Sequence, residues 1–237
     1  MSMRDIQLLY KIKAIISPFH FALLWVWRAG LASLGRVGTI NLRENKNTAL
    51  FRVRNKSHLK NIIIPIFDKY PLISNKQYDY LRFKNCLLEN IKHAKDLPEY
   101  IRPIKPALNS SPVKIQQFSY FSAWLIGFIE AEGCFSLYKP TNDNSTVASF
   151  DISQTNSLVI LQAIKQFLSL TSKICKDETD CYRIKVSSVR QIENVIKFMQ
   201  KASIKLMGYK KLQYLLFLKG LRKIPRYTKK FNVPAKY

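Results

Sequence analysis

Residues Trp124 to Phe135 read WLIGFIEAEGCF, and the spacing inside this stretch decides the fold. With the preceding Ala123, the small residues Gly127 and Ala131 recur at i, i+4 and i+8, which is one face of a helix. A face made of the smallest side chains lets a second helix approach very closely. The helix closes on acid, with Glu130 and Glu132, and Gly133 follows, a residue able to take the left-handed turn that stops a helix. Glu132 thus sits at the negative end of the helix dipole, a poor place for a carboxylate unless a cation joins it. A hard cation such as Mg²⁺ takes oxygen ligands and substrate phosphates. In that position it can activate water and stabilise the leaving oxygen of a phosphodiester. Solvated helix-end charges are the alternative reading of Glu130 and Glu132.

Outward from this helix the periodicity changes from helical to alternating. CFSLYK sets Phe135 and Leu137 against Ser136 and Tyr138, and ASFDISQ sets Phe150 and Ile152 against Ser149, Asp151 and Ser153. Period two with one apolar side predicts two paired strands over a core. Further on, YRIKV from Tyr182 places Arg183 and Lys185 on one strand face. An amphipathic helix follows with Ile192, Val195, Ile196 and Met199, and then a loop leads to Lys210 and a second helix marked by Tyr214, Leu215 and Phe217.

The same order occurs earlier in the chain. FRVR from Phe51 places Arg52 and Arg54 on one face. A helix with Leu59, Ile62, Ile63 and Ile66 follows, then Lys76 and a helix with Tyr80, Leu81 and Phe83. Asp5 to Ile15 matches Ser157 to Phe167 in helical spacing, and GTINLRENKNTALFRV matches SKICKDETDCYRIKV as a hairpin. The chain is therefore an internal repeat. The expected organisation is a first repeat over residues 1–100, a Pro/Ser-containing linker over 101–116 and a second repeat over 117–237. The first copy lacks a counterpart of the motif helix and its two strands. It also carries an apolar insertion near residues 17–34, which includes Trp25 and Trp27. Pro18, His20 and Arg28 interrupt this stretch, and it only just reaches the roughly 20 residues a membrane span needs, so stable membrane insertion is not expected.

Charge points to the partner. The 237 residues hold 39 Lys and Arg against 15 Asp and Glu, a net +24. Such an excess repels itself and seeks a polyanion, with nucleic acid first and an anionic membrane second. Four cysteines without CxxC spacing predict neither a zinc site nor a disulfide framework, and buried thiols are expected. His20, His58 and His93 have no spacing that suggests catalysis or metal binding.

Leu125 to Gly133, together with FDISQT, IIPIFDKYPLISNKQYDYLRF and KLMGYKKLQYLLFLKGL, resembles the LAGLIDADG family of intron-encoded homing endonucleases and RNA maturases. The resemblance implies an α+β fold of two αββαββα-like repeats, the first incomplete at its N-terminal side. It implies that Ala123, Gly127, Ala131 and Gly133 line a helix-pair interface, and that Glu132 binds Mg²⁺ and acts at the scissile phosphates. It implies that Lys76 and Lys210 are basic residues near that centre, and that Arg52, Arg54, Arg183 and Lys185 lie along a duplex DNA target. It also implies a mitochondrial location.

The first repeat departs from the pattern. RAGLASLG, Arg28 to Gly35, begins like the motif but has no acid and precedes the wrong element. Three explanations stand open: a front part encoded upstream, a homodimer, or loss of nuclease activity. Two functions of different class follow. One is a site-specific, metal-dependent, double-strand DNA endonuclease. The other is a maturase that binds and stabilises a group I intron RNA without cutting. Both would use the same cationic surface.

Overall fold

The computed structural model describes residues 3–17, 37–43, 47–91, 93–103, 111–141 and 145–237. Most of the apolar stretch near 17–34 and all of RAGLASLG lie outside them. The chain divides into two compact units. The first comprises Met1–Pro71, Arg82–Glu99 and Met207–Tyr209; the second comprises Leu72–Leu81, Tyr100–Leu206 and Lys210–Tyr237.

In the second unit, α4 (Pro112–Gln116) leads into α5 (Phe121–Glu132). Then follow β3 (Cys134–Tyr138), β4 (Val147–Thr155), α6 (Leu158–Phe167), β5 (Ile174–Lys176), β6 (Cys181–Val186) and α7 (Val189–Lys201). From α5 to α7 this is the expected αββαββα order. Helices α8 (Tyr209–Leu221) and α9 (Pro225–Thr228) close the chain. The four strands form an antiparallel sheet in the order β3-β4-β6-β5.

Alternation gives that sheet two unlike faces. Phe135, Ala148, Phe150, Ile152, Ile184 and Val186 are buried in one core with side chains from α4 to α9. Each fully buried Val, Ile or Phe side chain among them contributes roughly 1.5–3 kcal/mol. Helix α7 joins the core because its apolar residues recur at helical spacing and its start is capped. Ser188 Oγ accepts from Gln191 N, and the Gln191 side-chain oxygen accepts from Thr171 N and Ser172 N, both at 3.0 Å. Tyr227 Oη accepts the Ala148 N–H at 2.7 Å, which satisfies a buried strand donor. The last five residues of the expected linker are helical, and Ile115 within them is fully buried.

The first unit carries the shorter version. Helix α1 (Ile6–Ile16) packs on a two-stranded antiparallel ribbon of β1 (Thr39–Arg43) and β2 (Thr48–Arg52). Gly38 opens the ribbon at φ +68°, and a Cβ there would strike the Phe51 ring. Next comes α2, built of Lys56–His58, a π-type segment Leu59–Ile63 and Ile64–Lys69. Pro65 has no N–H to give the preceding turn, and the wider π segment lies immediately before its turn. Helix α3 (Lys76–Leu88) is divided between the units. Among the described residues, no helix is long and apolar enough to cross a membrane.

Candidate nucleic-acid interface and motif helix

Helix α5 has two sides. Phe121, Leu125, Ile126 and Ile129 are buried, and Trp124 stacks on Phe128 with ring centroids 4.9 Å apart. On the other side Gly127 and Ala131 are exposed and Ala123 is half-buried. A Cβ built on Gly127 meets nothing within 4 Å among the described residues. Glu132, the last helical residue, is exposed at the end of that bare stripe.

Gly133 corrects one expectation. It is buried, and its backbone is extended (φ −72°, ψ 149°), not left-handed. A Cβ there would lie 2.7 Å from the Ile129 carbonyl oxygen. The glycine is required by this close approach to its own helix, and it does not share the bare face of Gly127 and Ala131.

β3 starts two residues after Glu132, so the acid is close along the chain to Cys134, the first outward residue of that strand. Cys134, Asp151 and Lys185 form one row across β3, β4 and β6 there. Arg183 and Lys185 share this face and are exposed, as their spacing predicts. Lys185 Nζ lies over the Tyr138 ring, 5.0 Å from its centroid. Arg183 reaches diagonally to Asp151: its Nε lies 2.8 and 2.7 Å from the two carboxylate oxygens, and Nη2 also bonds the carboxylate. The Asp151 carboxylate beside it raises the pKa of Arg183. Asp151 is the residue sequence reading missed. Its place on the polar face was legible, but its pairing depends on strand register.

The other expected site residues lie on different elements. Lys76 begins α3 with its side chain 61% exposed, 3.7 Å from Asp79. Asp79 also accepts from Arg102 Nε at 2.8 Å and Tyr100 Oη at 3.1 Å, and the Arg102 guanidinium holds its pKa below the ordinary aspartate range. Lys210 is half-buried in the first turn of α8. Lys76, Lys210 and Glu132 all belong to the second unit, whereas Arg52 ends β2 in the first. Arg54 lies beyond the strand, a second correction. The β1–β2 ladder ends at the Thr39–Arg52 pair, two residues before Arg54, and Asn55 then caps α2 by accepting the His58 N–H at 3.1 Å.

The cysteines give a third correction. None is buried: Cys134 and Cys175 are exposed, Cys86 and Cys181 partly so, and all four are free thiols. Alternation puts Cys134 and Cys175 on the outward sheet face, with Cys175 directly opposite Arg183.

As for metal, no group of three or more His, Cys, Asp or Glu among the described residues is placed to hold an ion. The donor set at the end of α5 is a single exposed carboxylate. That suits a cation held by one or two carboxylates together with substrate phosphates and water, and it does not suit an all-protein cage.

A family model described as LAGLIDADG endonuclease matches residues 1–87 and 125–221. "Probable intron-encoded endonuclease Cox1-I1b" of Schizosaccharomyces pombe is 30% identical over 200 residues, covering 79% of this chain and 50% of its own length. "Probable intron-encoded endonuclease aI3" of Dictyostelium citrinum is 32% identical over 148 residues, covering 61% of this chain and 57% of its own. The chain thus spans about half the length of these relatives. Among solved structures, meganuclease I-SmaMI bound to uncleavable DNA aligns with a TM-score of 0.69 at 21% identity, covering 97% of this chain and 82% of its own. The homing endonuclease I-GzeII in complex with its DNA target gives 0.68 at 19%, covering 98% and 81%. I-SmaMI has also been solved with uncleaved DNA in the presence of calcium ions.

Proposed function

The chain belongs to the LAGLIDADG endonuclease family, and on that premise we propose that it is an intron-encoded, site-specific double-strand DNA endonuclease. One observation carries the proposal: an exposed carboxylate, Glu132, ends a helix whose small-residue side is half-buried at Ala123 and exposed at Gly127 and Ala131, with open space over Gly127 among the described residues. A second motif helix laid on that stripe would bring another acid beside Glu132. The outward sheet face that starts beside Glu132 would lie along the duplex, with Arg183 and Lys185 toward it. Arg52 would add to the cationic surface, and Lys76 and Lys210 would neutralise phosphate near the scissile bonds.

Mg²⁺, when bound, would supply Lewis-acid stabilisation of phosphate oxygens and a more acidic water. Glu132 would supply the carboxylate that holds it. Glu132 is not itself asked to move a proton, and its exposed position leaves it open to substrate. The second acid would come from another copy of the chain or from sequence joined to this one. A mitochondrial setting is supported by similarity to mitochondrial protein RF1 of Saccharomyces cerevisiae, 31% identical over 133 residues.

A maturase role is the second reading, favoured by the single acidic motif in the sequence. Incubating the chain with intronless target DNA and Mg²⁺, beside a group I intron splicing assay, separates the two. The endonuclease reading expects double-strand cleavage by the wild type and none by Glu132→Gln. Absence of cleavage, with splicing support equal in both proteins, would establish the maturase instead.

A further inference from the structure

We propose that Arg183 is a guanine-reading residue of the second unit and that Asp151 is the positioning residue that holds it in reading orientation. The inference rests on the endonuclease reading above, because it needs a duplex along the outward sheet face.

The argument starts from a choice the register makes possible. Asp151 lies directly opposite Lys185, while Arg183 lies opposite Ser153. The carboxylate nevertheless engages the diagonal arginine through Nε and Nη2, and Lys185 rests over Tyr138. The Asp151 side chain is 11% exposed while that of Arg183 is 59% exposed. The buried partner therefore fixes the guanidinium from below and leaves its outer edge in solvent. Guanidinium carries five N–H donors in a rigid plane. Asp151 occupies the Nε/Nη2 edge, so the Nη1/Nη2 edge remains as two parallel donors on a fixed mount.

Two parallel donors match guanine O6 and N7 in the major groove, the commonest specific arginine contact with DNA. A lysine cannot reproduce this fork. A phosphate can also take this fork in a bidentate contact, but the Asp151 carboxylate offsets the charge that a phosphate contact draws on, whereas a neutral base edge needs only the two donors. The deep, narrow major groove of A-form RNA would not admit the same contact. The partner is therefore a G·C pair in B-form duplex.

The test is in vitro selection from a randomised duplex library with the full chain, comparing wild type, Arg183→Ala, Arg183→Lys and Asp151→Asn. Thermal melting of each protein confirms folding. The wild type is expected to enrich a defined site containing guanine at one position that Arg183→Ala no longer selects. Discrimination there should fall about 5- to 150-fold, with the other positions unchanged. Arg183→Lys should lose the same preference while keeping its charge. Asp151→Asn should weaken preference at that position alone, and a protein carrying both Asp151→Asn and Arg183→Ala should be no worse there than Arg183→Ala. Uniform weakening across all sequences in Arg183→Ala would make the residue a phosphate contact and overturn the proposal. An Asp151→Asn profile identical to wild type would overturn the positioning role. A wild type that enriches no duplex sequence would instead sink the endonuclease reading, and this inference with it.

Discussion

The two hairpin–helix halves of this chain come from one sequence pattern and end in different surroundings. In the second half, the hairpin β5–β6 is extended by β3 and β4 into a four-stranded sheet whose inner face joins a large core. In the first half, β1–β2 remains a two-stranded ribbon packed on α1. An isolated two-stranded hairpin is marginal in water, so the ribbon depends on the helices around it. The comparison teaches that the repeat pattern specifies hairpin and helix locally. The strands next to the hairpin decide whether a face becomes a core.

The largest expected contrast is in stability. Phe150→Ala, at a fully buried strand position of the second unit, should cost about 3–5 kcal/mol in chemical denaturation. Leu50→Ala, at a half-buried position of β2, should cost clearly less, within about 1 kcal/mol of wild type. Equal losses would mean that the ribbon is as deeply packed as the sheet. An intermediate effect comes from Tyr227→Phe, which removes the acceptor of the Ala148 N–H and should cost about 1–3 kcal/mol by the same measurement.

The smallest contrast depends on pH. Arg102 depresses the folded pKa of Asp79. The stability it contributes is therefore fully present above the ordinary aspartate value of about 3.9, and it is lost as pH falls through the lower folded value. Denaturation of Asp79→Asn beside wild type should show a small deficit at neutral pH that vanishes in strong acid. A deficit that persists unchanged below the folded value would assign the loss to packing and not to the ion pair.

Much of this was legible in the residues. Alternation in CFSLYK, ASFDISQ and YRIKV fixed the inward and outward faces, and the helical spacing of Ile192, Val195, Ile196 and Met199 fixed the buried side of α7. What was not legible depends on tertiary placement. The Asp151–Arg183 pair is a diagonal between strands far apart in sequence. Gly133 looked like a helix-stopping turn because glycine usually serves that way, yet here contact with Ile129 explains it. Arg54 kept the right period for a strand, but the β1–β2 ladder ends at the Thr39–Arg52 pair, two residues before it. The exposed thiols followed register and not cysteine's usual preference for the interior.

The bare side of α5 is what separates the motif-bearing half from its shorter counterpart, and Gly127→Leu tests it most directly. Thermal melting and DNA cleavage are measured on the same preparation. Because a Cβ at Gly127 meets nothing within 4 Å among the described residues and the position is exposed, the variant should melt at or slightly above the wild-type temperature. Replacing a helical glycine by a good helix former is worth up to about 1 kcal/mol. Cleavage should nevertheless be lost, since leucine would hold a second helix away from the stripe. Undiminished cleavage by a normally folded Gly127→Leu protein would contradict the account.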